Sequence, residues 1–353
     1  MSKRTVAICT ILIIAVASAA VAADWSTFRS DASRSGLTAD GVGPELNAQW
    51  VYESTHAPSP AWPEPGRELN RNDFDYAYHV AIVGGTVYFG SSTDHKVYAL
   101  DLASGEERWS FFTEGPVRFA PTVVDGTAFV ASDDGLLYSL DAATGALNWT
   151  YRPAPTDERL MGNGQMISRW PLRSGVVVED GIAYVSAGMW PSEGVYVCAV
   201  DAESGEVIWT NGTSGTMYMA QPHPGALALT GVAPQGAIVL SDSYVFVPTG
   251  RNMPACFDRS TGKFVYYRGQ PDTWNDRWGG AWAMTHGDLL YGGRTHHGPD
   301  IEIKTGESDP WNGDGLIAWQ QKNGQKYREM PNMLRAVIDG DTIYVSGSDE
   351  VKA

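Results

Sequence analysis

The sequence predicts an all-β protein built as a β-propeller, a ring of four-stranded antiparallel sheets that are called blades. The first observation is a phrase of a short apolar strand, Asp, three residues, Gly, three residues and Trp, which recurs along the chain. The second is a hairpin pattern that precedes each copy of this phrase. The third is that no long window outside the first two dozen residues has helical periodicity. Repetition of this kind indicates a repeat architecture.

The repeated phrase is predicted to form the outer hairpin of each blade. Asp accepts hydrogen bonds from N–H groups two residues on, and Gly supplies the positive φ of a tight reversal. A single hairpin cannot bury a Trp, so the Trp is expected to pack between neighbouring blades. The clear copies are Asp101, Gly105 and Trp109, then Asp141, Gly145 and Trp149, then Asp201, Gly205 and Trp209. A decayed fourth copy has Asp258 and Gly262, with Tyr266 and Tyr267 near where Trp should fall.

The preceding pattern is a strand, a turn that usually contains Gly, and an aromatic or β-branched strand. Its copies are residues 83–89, 124–130, 179–185, 241–247, 285–291 and 338–345. Two hairpins per unit make a four-stranded blade. We therefore expect five blades, with the fifth degenerate in its Asp-Gly-Trp half near 317–324, and a partial sixth that stops at 351–353.

The first 23 residues are predicted to be a secretory signal. Lys3 and Arg4 precede an apolar run from about 6 to 20, and small residues at 20–23 precede Asp24. The alternative is an uncleaved membrane anchor, for which the run is short. The prediction is an exported protein, periplasmic or extracellular, whose mature form is not embedded in the membrane.

The charge of the chain is strongly negative. It has 41 acidic and 25 basic residues, with a formal net charge of −16. This balance argues against nucleic acid and anionic membranes as partners. Cys198 and Cys256 each lie beside a repeat Asp, which predicts buried thiols, with one disulfide as the alternative. No zinc pattern is present.

The alternation of these two hairpins over residues of about 80 to 350 resembles the quinoprotein-like, or PQQ-like, propeller repeats. That family includes alcohol dehydrogenases dependent on pyrroloquinoline quinone (PQQ) and the propeller lipoprotein that assists outer-membrane protein assembly. Residues 25–36 look like the lead-in common in exported bacterial members. Such members typically close an eight-bladed ring, so the resemblance implies a chain truncated from such a ring.

The predicted organisation follows from these patterns. Residues 24–79 are a lead-in, and residues 80–353 are propeller repeats that are incomplete at the C-terminus. Residues 49–53 look like an outermost Trp strand that would join the two ends of the chain and remove exposed sheet edges. The alternative is a complete six-bladed ring with one short blade.

The clearest interruption of the repeat suggests a ligand site. Sixty residues separate Asp141 from Asp201, against 40 between Asp101 and Asp141. Guanidinium groups suit carboxylate, phosphate or planar ligands, and Trp offers a stacking face. The candidate ligand-binding residues, expected at the mouth of the central channel, are Arg118, Arg152, Asn163, Arg169, Trp170 and Arg173. The alternative is that the inserted arginines, Arg159 among them, pair with surplus Asp and Glu to hold a long loop.

Two other polar clusters give weaker signals. Residues 294–300, which follow 274–280, contain adjacent His residues that would point to opposite faces of a strand, so an ordinary loop is expected. Residues 309–315 contain oxygen ligands suited to calcium but lack the EF-hand spacing.

Two function classes remain from the sequence, and a third is open. The first is a non-catalytic scaffold that binds an exported protein or a glycan, without a cofactor. The second, implied by the resemblance, is a quinoprotein dehydrogenase with PQQ over a Trp, a calcium ion and an Asp base. The chain lacks the adjacent Cys pair typical of those dehydrogenases, so we favour the scaffold. The third is the binding portion of a larger exported enzyme.

Overall fold

The computed structural model describes most of the chain after the predicted signal. The described residues are 23–41, 43–62, 74–220, 227–250, 252–267, 280–293, 315–331, 333, 335–346 and 351–352. They contain 27 β-strands and one short 3₁₀ turn, Pro191–Glu193. Within them no helix has the length and apolarity to cross a membrane. The predicted all-β class is confirmed.

Five sheets have four strands each, and in every one the strands pair antiparallel in chain order. Blade 1 contains β1 (Val80–Val83), β2 (Thr86–Ser91), β3 (Lys96–Asp101) and β4 (Glu107–Phe112). Blade 2 contains β5 (Thr122–Val124), β6 (Thr127–Ala131), β7 (Leu137–Asp141) and β8 (Leu147–Tyr151). A two-stranded hairpin follows, formed by β9 (Arg159–Gly162) and β10 (Gln165–Ser168).

Blade 3 contains β11 (Val176–Glu179), β12 (Ile182–Ala187), β13 (Tyr196–Asp201) and β14 (Val207–Asn211). A second hairpin is formed by β15 (Met217–Ala220) and β16 (Leu227–Thr230). Blade 4 contains β17 (Val239–Leu240), β18 (Tyr244–Val247), β19 (Ala255–Asp258) and β20 (Phe264–Tyr266). Blade 5 contains β21 (Ala283–His286), β22 (Leu289–Gly293), β23 (Gly315–Gln320) and β24 (Lys326–Pro331). A three-stranded sheet contains β25 (Arg335–Asp339), β26 (Thr342–Ser346) and β27 (Val351–Lys352).

The first strands of the blades surround a common axis. β1 contacts β5, β5 contacts β11, and β17 contacts β21. This arrangement, with buried clusters between neighbouring sheets, is that of a propeller. Five four-stranded sheets and one three-stranded sheet agree with the number of blades expected from the sequence. Truncation from an eight-bladed ring stays a prediction.

Antiparallel pairing gives the propeller two different ends. We call one end the turn face; it carries the tight turns between first and second strands and between third and fourth strands. We call the other end the loop face; it carries the remaining connections and both inserted hairpins. The repeated phrase forms the turn face, and the interruptions of the repeat lie on the loop face.

The turn of the repeated phrase is closed by its Asp. The Oδ1 atom of Asp141 accepts from the N–H groups of Ala143 and Thr144 at 3.1 and 2.8 Å, and from the Thr144 hydroxyl at 2.7 Å. Gly145 follows at φ 73°, a left-handed conformation that Gly adopts without the penalty of a Cβ atom. Asp101, Asp201 and Asp258 make the same turn.

Each repeat Trp packs on the repeat Gly of the next blade, as the sequence predicts. The Nε1 atom of Trp109 donates to the carbonyl of Ala142 at 3.0 Å, and a Cβ atom added to Gly145 would lie 2.6 Å from the Trp109 ring. Trp149 packs in the same way on Gly205, and Trp209 packs on Gly262. The missing side chain of Gly is therefore the space that the indole fills.

The decayed copies keep this contact with other residues. Tyr266 takes the Trp position, packs on Gly324 and donates its hydroxyl to the carbonyl of Gln321 at 2.6 Å. Trp50 of the lead-in packs on Gly105, and its Nε1 atom donates to the carbonyl of Leu102 at 2.9 Å. Residues 49–53 form no strand, and their ring-closing role stays a prediction.

Residues 25–36 of the lead-in cross the axis at the turn-face end. Their backbone bonds to the first strands of five sheets: Trp25 to Ile82, Ser26 to Val123, Ala32 to Leu240, Ser33 to Thr285 and Ser35 to Ile338. The fully buried Arg34 donates to the carbonyls of Ile238 at 2.9 Å and Phe28 at 2.7 Å. Burial lowers the pKa of Arg34 to about 10, so this side chain is charged at neutral pH.

The two cysteines that follow the predicted signal are free and buried, as expected. Cys198 lies on β13 and Cys256 on β19, the equivalent strands of blades 3 and 4. Burial raises the pKa of both thiols, that of Cys256 to about 12. Neither thiol therefore has the thiolate character that reactivity requires.

Candidate functional site

Aromatic side chains of the chain itself fill the centre of the axis. Phe119, just before β5, stacks on Phe74 with ring centroids 5.3 Å apart and meets Phe28 edge-on at 5.4 Å. His79 stacks on the same Phe119 ring at 5.7 Å. Phe28 comes from the turn-face part of the lead-in and Phe74 from its later part, so two separate lead-in segments meet here.

A buried ion network lies next to these rings, towards the loop face. The Nε atom of Arg118 donates to Oδ2 of Asp133 at 2.7 Å, and its Nη1 atom donates to Oδ2 of Asp75. Arg173 donates to the same Asp133 oxygen from Nε at 3.3 Å and from Nη2 at 3.2 Å. Each of these four side chains is at most 3% exposed. Two predicted site residues, Arg118 and Arg173, therefore share one carboxylate inside the protein.

The charges of this network are balanced within the chain. Burial by itself raises the pKa of Asp133, but the guanidinium groups of Arg118 and Arg173 outweigh it and hold that pKa below its usual range. Burial raises the pKa of Asp75, which faces one arginine. Pairing of this kind is what a buried charge requires.

One oxygen of this network has no partner. The Oδ2 atom of Asp133 receives three N–H bonds, whereas its Oδ1 atom is buried and receives none. A buried acceptor without a donor costs about 1–3 kcal/mol. Such an atom is a place where a water molecule or a ligand group would gain a bond.

A short segment, which we call the strap and define as residues 57–62, covers the loop-face end of the axis. The carbonyl of Ser59 accepts from Arg118 Nη1 at 2.9 Å, and the carbonyl of Pro60 accepts from Asn163 Nδ2 at 2.9 Å. The guanidinium carbon of Arg173 lies 5.7 Å from the Trp62 ring centroid. Three predicted ligand-binding residues thus contact the chain's own strap.

The other predicted residues lie in the inserted segment around the strap. Arg169 pairs with Glu158 at 2.6 Å and with Glu193, and its guanidinium carbon lies 5.3 Å from the Trp170 ring centroid. Trp170 is buried, and its Nε1 atom donates to the carbonyl of Glu193 at 2.7 Å.

Arg152 pairs with Asp157 at 3.2 Å, and Arg159 pairs with Asp157 and Glu114. These ion pairs agree with the alternative in which the arginines hold a long loop.

Four residues of this region lie outside the sequence prediction: Trp62, Asp75, Asp133 and Gln235. Their contacts span long sequence separations, since Trp62 Nε1 donates to Gln235 Oε1 over 173 residues at 2.8 Å. One signal marks Trp62, which is the composition of residues 58–62, Pro-Ser-Pro-Ala-Trp, in a segment outside the repeats.

The loop face also exposes apolar side chains on its two hairpins. Met161 and Met166 are directly paired across β9 and β10, and are 66% and 48% exposed. On the second hairpin Tyr218 is paired with Leu229, and they are 69% and 67% exposed. Leu227 lies on the same side as Leu229 because side chains two apart on a strand share a face.

Other candidate sites have less support. In the part of the chain that the structure describes, no group of three or more His, Cys, Asp or Glu side chains could hold a metal ion. The clusters at 294–300 and 309–314, and 274–279 before them, lie outside the described residues. A groove of about 810 Å³ between blades 4 and 5 on the turn face is lined by Asp242, Asp288 and Tyr327, among others, and by none of the predicted site residues.

The fold defines the chain as a β-propeller, and a family model that matches part of the chain agrees with the resemblance to PQQ-like propellers seen in the sequence. Residues 61–187 match a family model described as outer membrane protein assembly factor BamB. The match begins within the strap and extends through blade 2 and the first hairpin into β12. No curated protein sequence matches the chain.

Solved structures of several propellers are similar in fold. A europium-containing methanol dehydrogenase is 15% identical with a TM-score of 0.51, covering 87% of this chain and 58% of that chain. Quinohemoprotein alcohol dehydrogenase from Comamonas testosteroni is 16% identical with a TM-score of 0.50, covering 87% and 49%. BamB from Moraxella catarrhalis is 16% identical with a TM-score of 0.46, covering 75% and 68%. The chain thus spans about half the length of these dehydrogenases, and the similarity establishes the fold alone.

The described residues do not fit the cofactor that such dehydrogenases suggest. The donors of Arg118 and Arg173 that face Asp75 and Asp133 are already used, and Trp62 already lies against the guanidinium of Arg173. No catalytic step through PQQ or calcium is therefore derived.

Proposed function

We propose that this protein is an exported, non-catalytic propeller that binds another exported protein through its loop face. The observation that carries the proposal is the pair of inserted hairpins, which expose Met161, Met166, Tyr218 and Leu229. Exposed apolar side chains that cluster on one face are typical of protein interaction sites. A propeller without insertions would lack this surface, because both hairpins interrupt the repeat.

The filled axis supports the same proposal. A small-molecule site in a propeller needs free space and free polar groups near the axis. Here Phe28, Phe74 and Phe119 pack together, the two axial arginines are paired with Asp75 and Asp133, and the one unpaired oxygen of this network, Asp133 Oδ1, is buried. The match to the BamB family model also favours a protein partner for this chain.

A photo-crosslinking experiment tests the proposal. A photoreactive amino acid placed at Met161 or at Tyr218 should form a covalent adduct with one defined exported protein in the source cells. The same amino acid at Ala143, exposed on the turn face, is the matched control and should form none. The partner is identified by mass spectrometry, purified and titrated against the protein. Changing Met161 and Met166 to Asp should then weaken its binding at least about tenfold, because burial of charge at an interface is unfavourable.

Two results would contradict the scaffold. Equal adducts from Ala143 and from the hairpins would show that the loop face has no special role. Quinone absorbance and dye-linked alcohol oxidation after addition of PQQ and Ca²⁺ would favour the dehydrogenase instead. A glycan partner would appear as binding to an oligosaccharide array without any protein adduct.

A further inference from the structure

We propose that the axial end of the loop face is a peptide-binding site, occupied in this structure by the chain's own strap. The site is inferred to take a Pro-x-Pro-x-Trp segment of another polypeptide in the place of Pro58 to Trp62. This inference rests on the proposed function, because it names the chemistry of a partner for the same face.

The strap is held as a bound peptide is held, by side chains from separate parts of the protein. It belongs to no sheet, and its main-chain groups are paired with side chains. Thr93 Oγ1 donates to the carbonyl of Ala57 at 2.6 Å, and Ser92 Oγ accepts from the N–H of Ser59 at 2.9 Å. Arg118 and Asn163 bind the carbonyls of Ser59 and Pro60, as described above. Blade 1, blade 2 and the first hairpin thus each contribute to one continuous site.

Proline at two positions helps to explain why a segment outside any sheet is stable here. Where such a segment is shielded from water, its backbone N–H groups must be satisfied. Pro58 and Pro60 have no N–H group, and the N–H of Ala61 donates to Asp75 Oδ2 at 2.8 Å. Every backbone donor from Pro58 to Ala61 is therefore either absent or paired. Proline also restricts the free peptide to extended conformations, which reduces the entropy lost on binding.

Trp62 is the anchor of the strap. Its ring contacts the Arg173 guanidinium, at 5.7 Å, and the Trp190 ring, which meets it edge-on at 5.8 Å. Its Nε1 atom donates to Gln235, a side chain that is only 5% exposed. A Trp with two ring contacts and a bonded N–H group has the features of an interface hot spot.

The strap competes with any free peptide for this site, and this competition lowers the apparent affinity for the peptide. A tethered segment competes with an effective concentration on the order of 1 mM. If its intrinsic Kd is about 10 µM, the strap occupies the site about 100 times more often than it leaves it. A peptide in solution should therefore bind the intact protein about 100-fold more weakly than it binds a protein with a loosened strap.

The experiment uses the full chain and a fluorescein-labelled peptide with the sequence His-Ala-Pro-Ser-Pro-Ala-Trp of residues 56–62. Trp62→Ala in the protein loosens the strap, and anisotropy should then show binding at least tenfold tighter than to the intact protein. A peptide with Ala in place of its Trp should bind this variant at least tenfold more weakly. Adding Gln235→Leu to Trp62→Ala should also weaken the unmodified peptide. Trp50→Ala is the matched control, because Trp50 packs at the turn face, and it should not increase binding.

Three results would overturn the inference: no binding of the peptide to a folded Trp62→Ala variant at 1 mM, equal gains for Trp50→Ala, or no effect of the peptide's Trp. If Trp62→Ala does not fold, Trp62→Phe keeps a ring, loses the bond to Gln235 and should give a smaller gain. The partner adducts at Met161 and Tyr218 are measured with the same variants. Adducts without peptide binding would reject only this inference, and loss of both would reject the proposed function as well.

Discussion

The lead-in closes the two ends of the propeller axis in different ways. At the turn face, residues 25–36 join the first strands mainly through backbone hydrogen bonds, such as Ser26 to Val123 and Ala32 to Leu240, and the Arg34 side chain adds one bond to Ile238. At the loop face, the strap is held by side chains, including Arg118 and Asn163. Backbone bonds are available to any sequence, whereas side-chain bonds require particular residues. The lead-in contacts at the turn face therefore depend less on particular residues than those at the loop face, which are specific to this sequence.

The largest effect is expected from a substitution that breaks the buried ion network at the loop face. Arg118→Ala removes one partner of Asp75 and of Asp133 while both carboxylates stay buried. We expect a loss of about 3–5 kcal/mol in the free energy of unfolding, measured by urea denaturation. Arg169→Ala is the matched control; its exposed ion pairs should contribute about 0–1 kcal/mol. Equal losses for both variants would remove the distinction between the axial and the peripheral arginines.

The next effect tests the turn face with two glycines of almost identical φ. Gly145 has φ 73° and Gly126 has φ 74°. A Cβ atom at Gly145 would lie 2.6 Å from the Trp109 ring, whereas one at Gly126 would meet nothing within 4 Å. We expect Gly126→Ala to cost about 1 kcal/mol and Gly145→Ala about 3 kcal/mol, since overpacking adds to the backbone strain. Thermal unfolding measures this difference. Similar Tm values for the two variants would show that the Trp109 indole can move away from the added Cβ atom.

A smaller effect compares Trp50 with a repeat Trp. Trp109 is 9% exposed and Trp50 is more exposed, although both pack on a repeat Gly. We expect Trp109→Ala to cost about 3 kcal/mol and Trp50→Ala about 1–2 kcal/mol in urea denaturation. An undetectable effect of Trp50→Ala would argue against a ring-closing role for residues 49–53.

The smallest effect is the response of the turn face to acid. A hydrogen bond from Arg108, followed by bonds from Ser104, lowers the pKa of Asp101 to about 2, and turn bonds lower the pKa of Asp141 and Asp201. Unfolded Asp has a pKa of about 3.9. Because the folded pKa is lower, this stabilisation is full above about pH 4 and is lost as the pH falls through about 2.

Asn variants at these positions should keep the oxygen that accepts the turn bonds but lose the titration. The combined variant Asp101→Asn, Asp141→Asn and Asp201→Asn should therefore lose less Tm between pH 4 and pH 2 than the unchanged protein. Asp125→Asn removes an exposed carboxylate from another turn and is the control for charge alone. The same loss of Tm in the triple variant and the unchanged protein would contradict this account.

The repeat shows how much of the fold local sequence predicts. Asp141, Thr144 and Gly145 interact within four residues, so their spacing specifies the turn without help from other parts of the chain. The Trp109 contact was predicted as packing between blades because a hairpin cannot bury an indole. Gln320 and Gly324 of blade 5 keep the turn bond between them although the Asp and the Trp are replaced. A search for the motif alone would therefore miss a blade whose motif residues have diverged.

The candidate site was predicted only in part. Asn163 and Arg173 stood out as polar residues in an insertion, Arg118 was added from the preceding blade, and the structure brings all three to the strap. Their partners Trp62 and Asp75 did not stand out, since a lone Asp and a Trp in a lead-in have no periodic pattern. The exposed apolar faces of the two hairpins also depend on which side packs against the propeller.

By itself, the sequence determined the all-β class, the four-stranded unit and the turn chemistry, because these depend on contacts within a few residues or on a regular repeat. Only the tertiary structure decided that the axial arginines bind the chain's own carboxylates and strap. These contacts and the bond from Trp62 to Gln235 join residues 15 to 173 positions apart, and nothing in local spacing encodes them. The propeller brings the lead-in and the first strands of the blades to one axis, and that arrangement selects the partners.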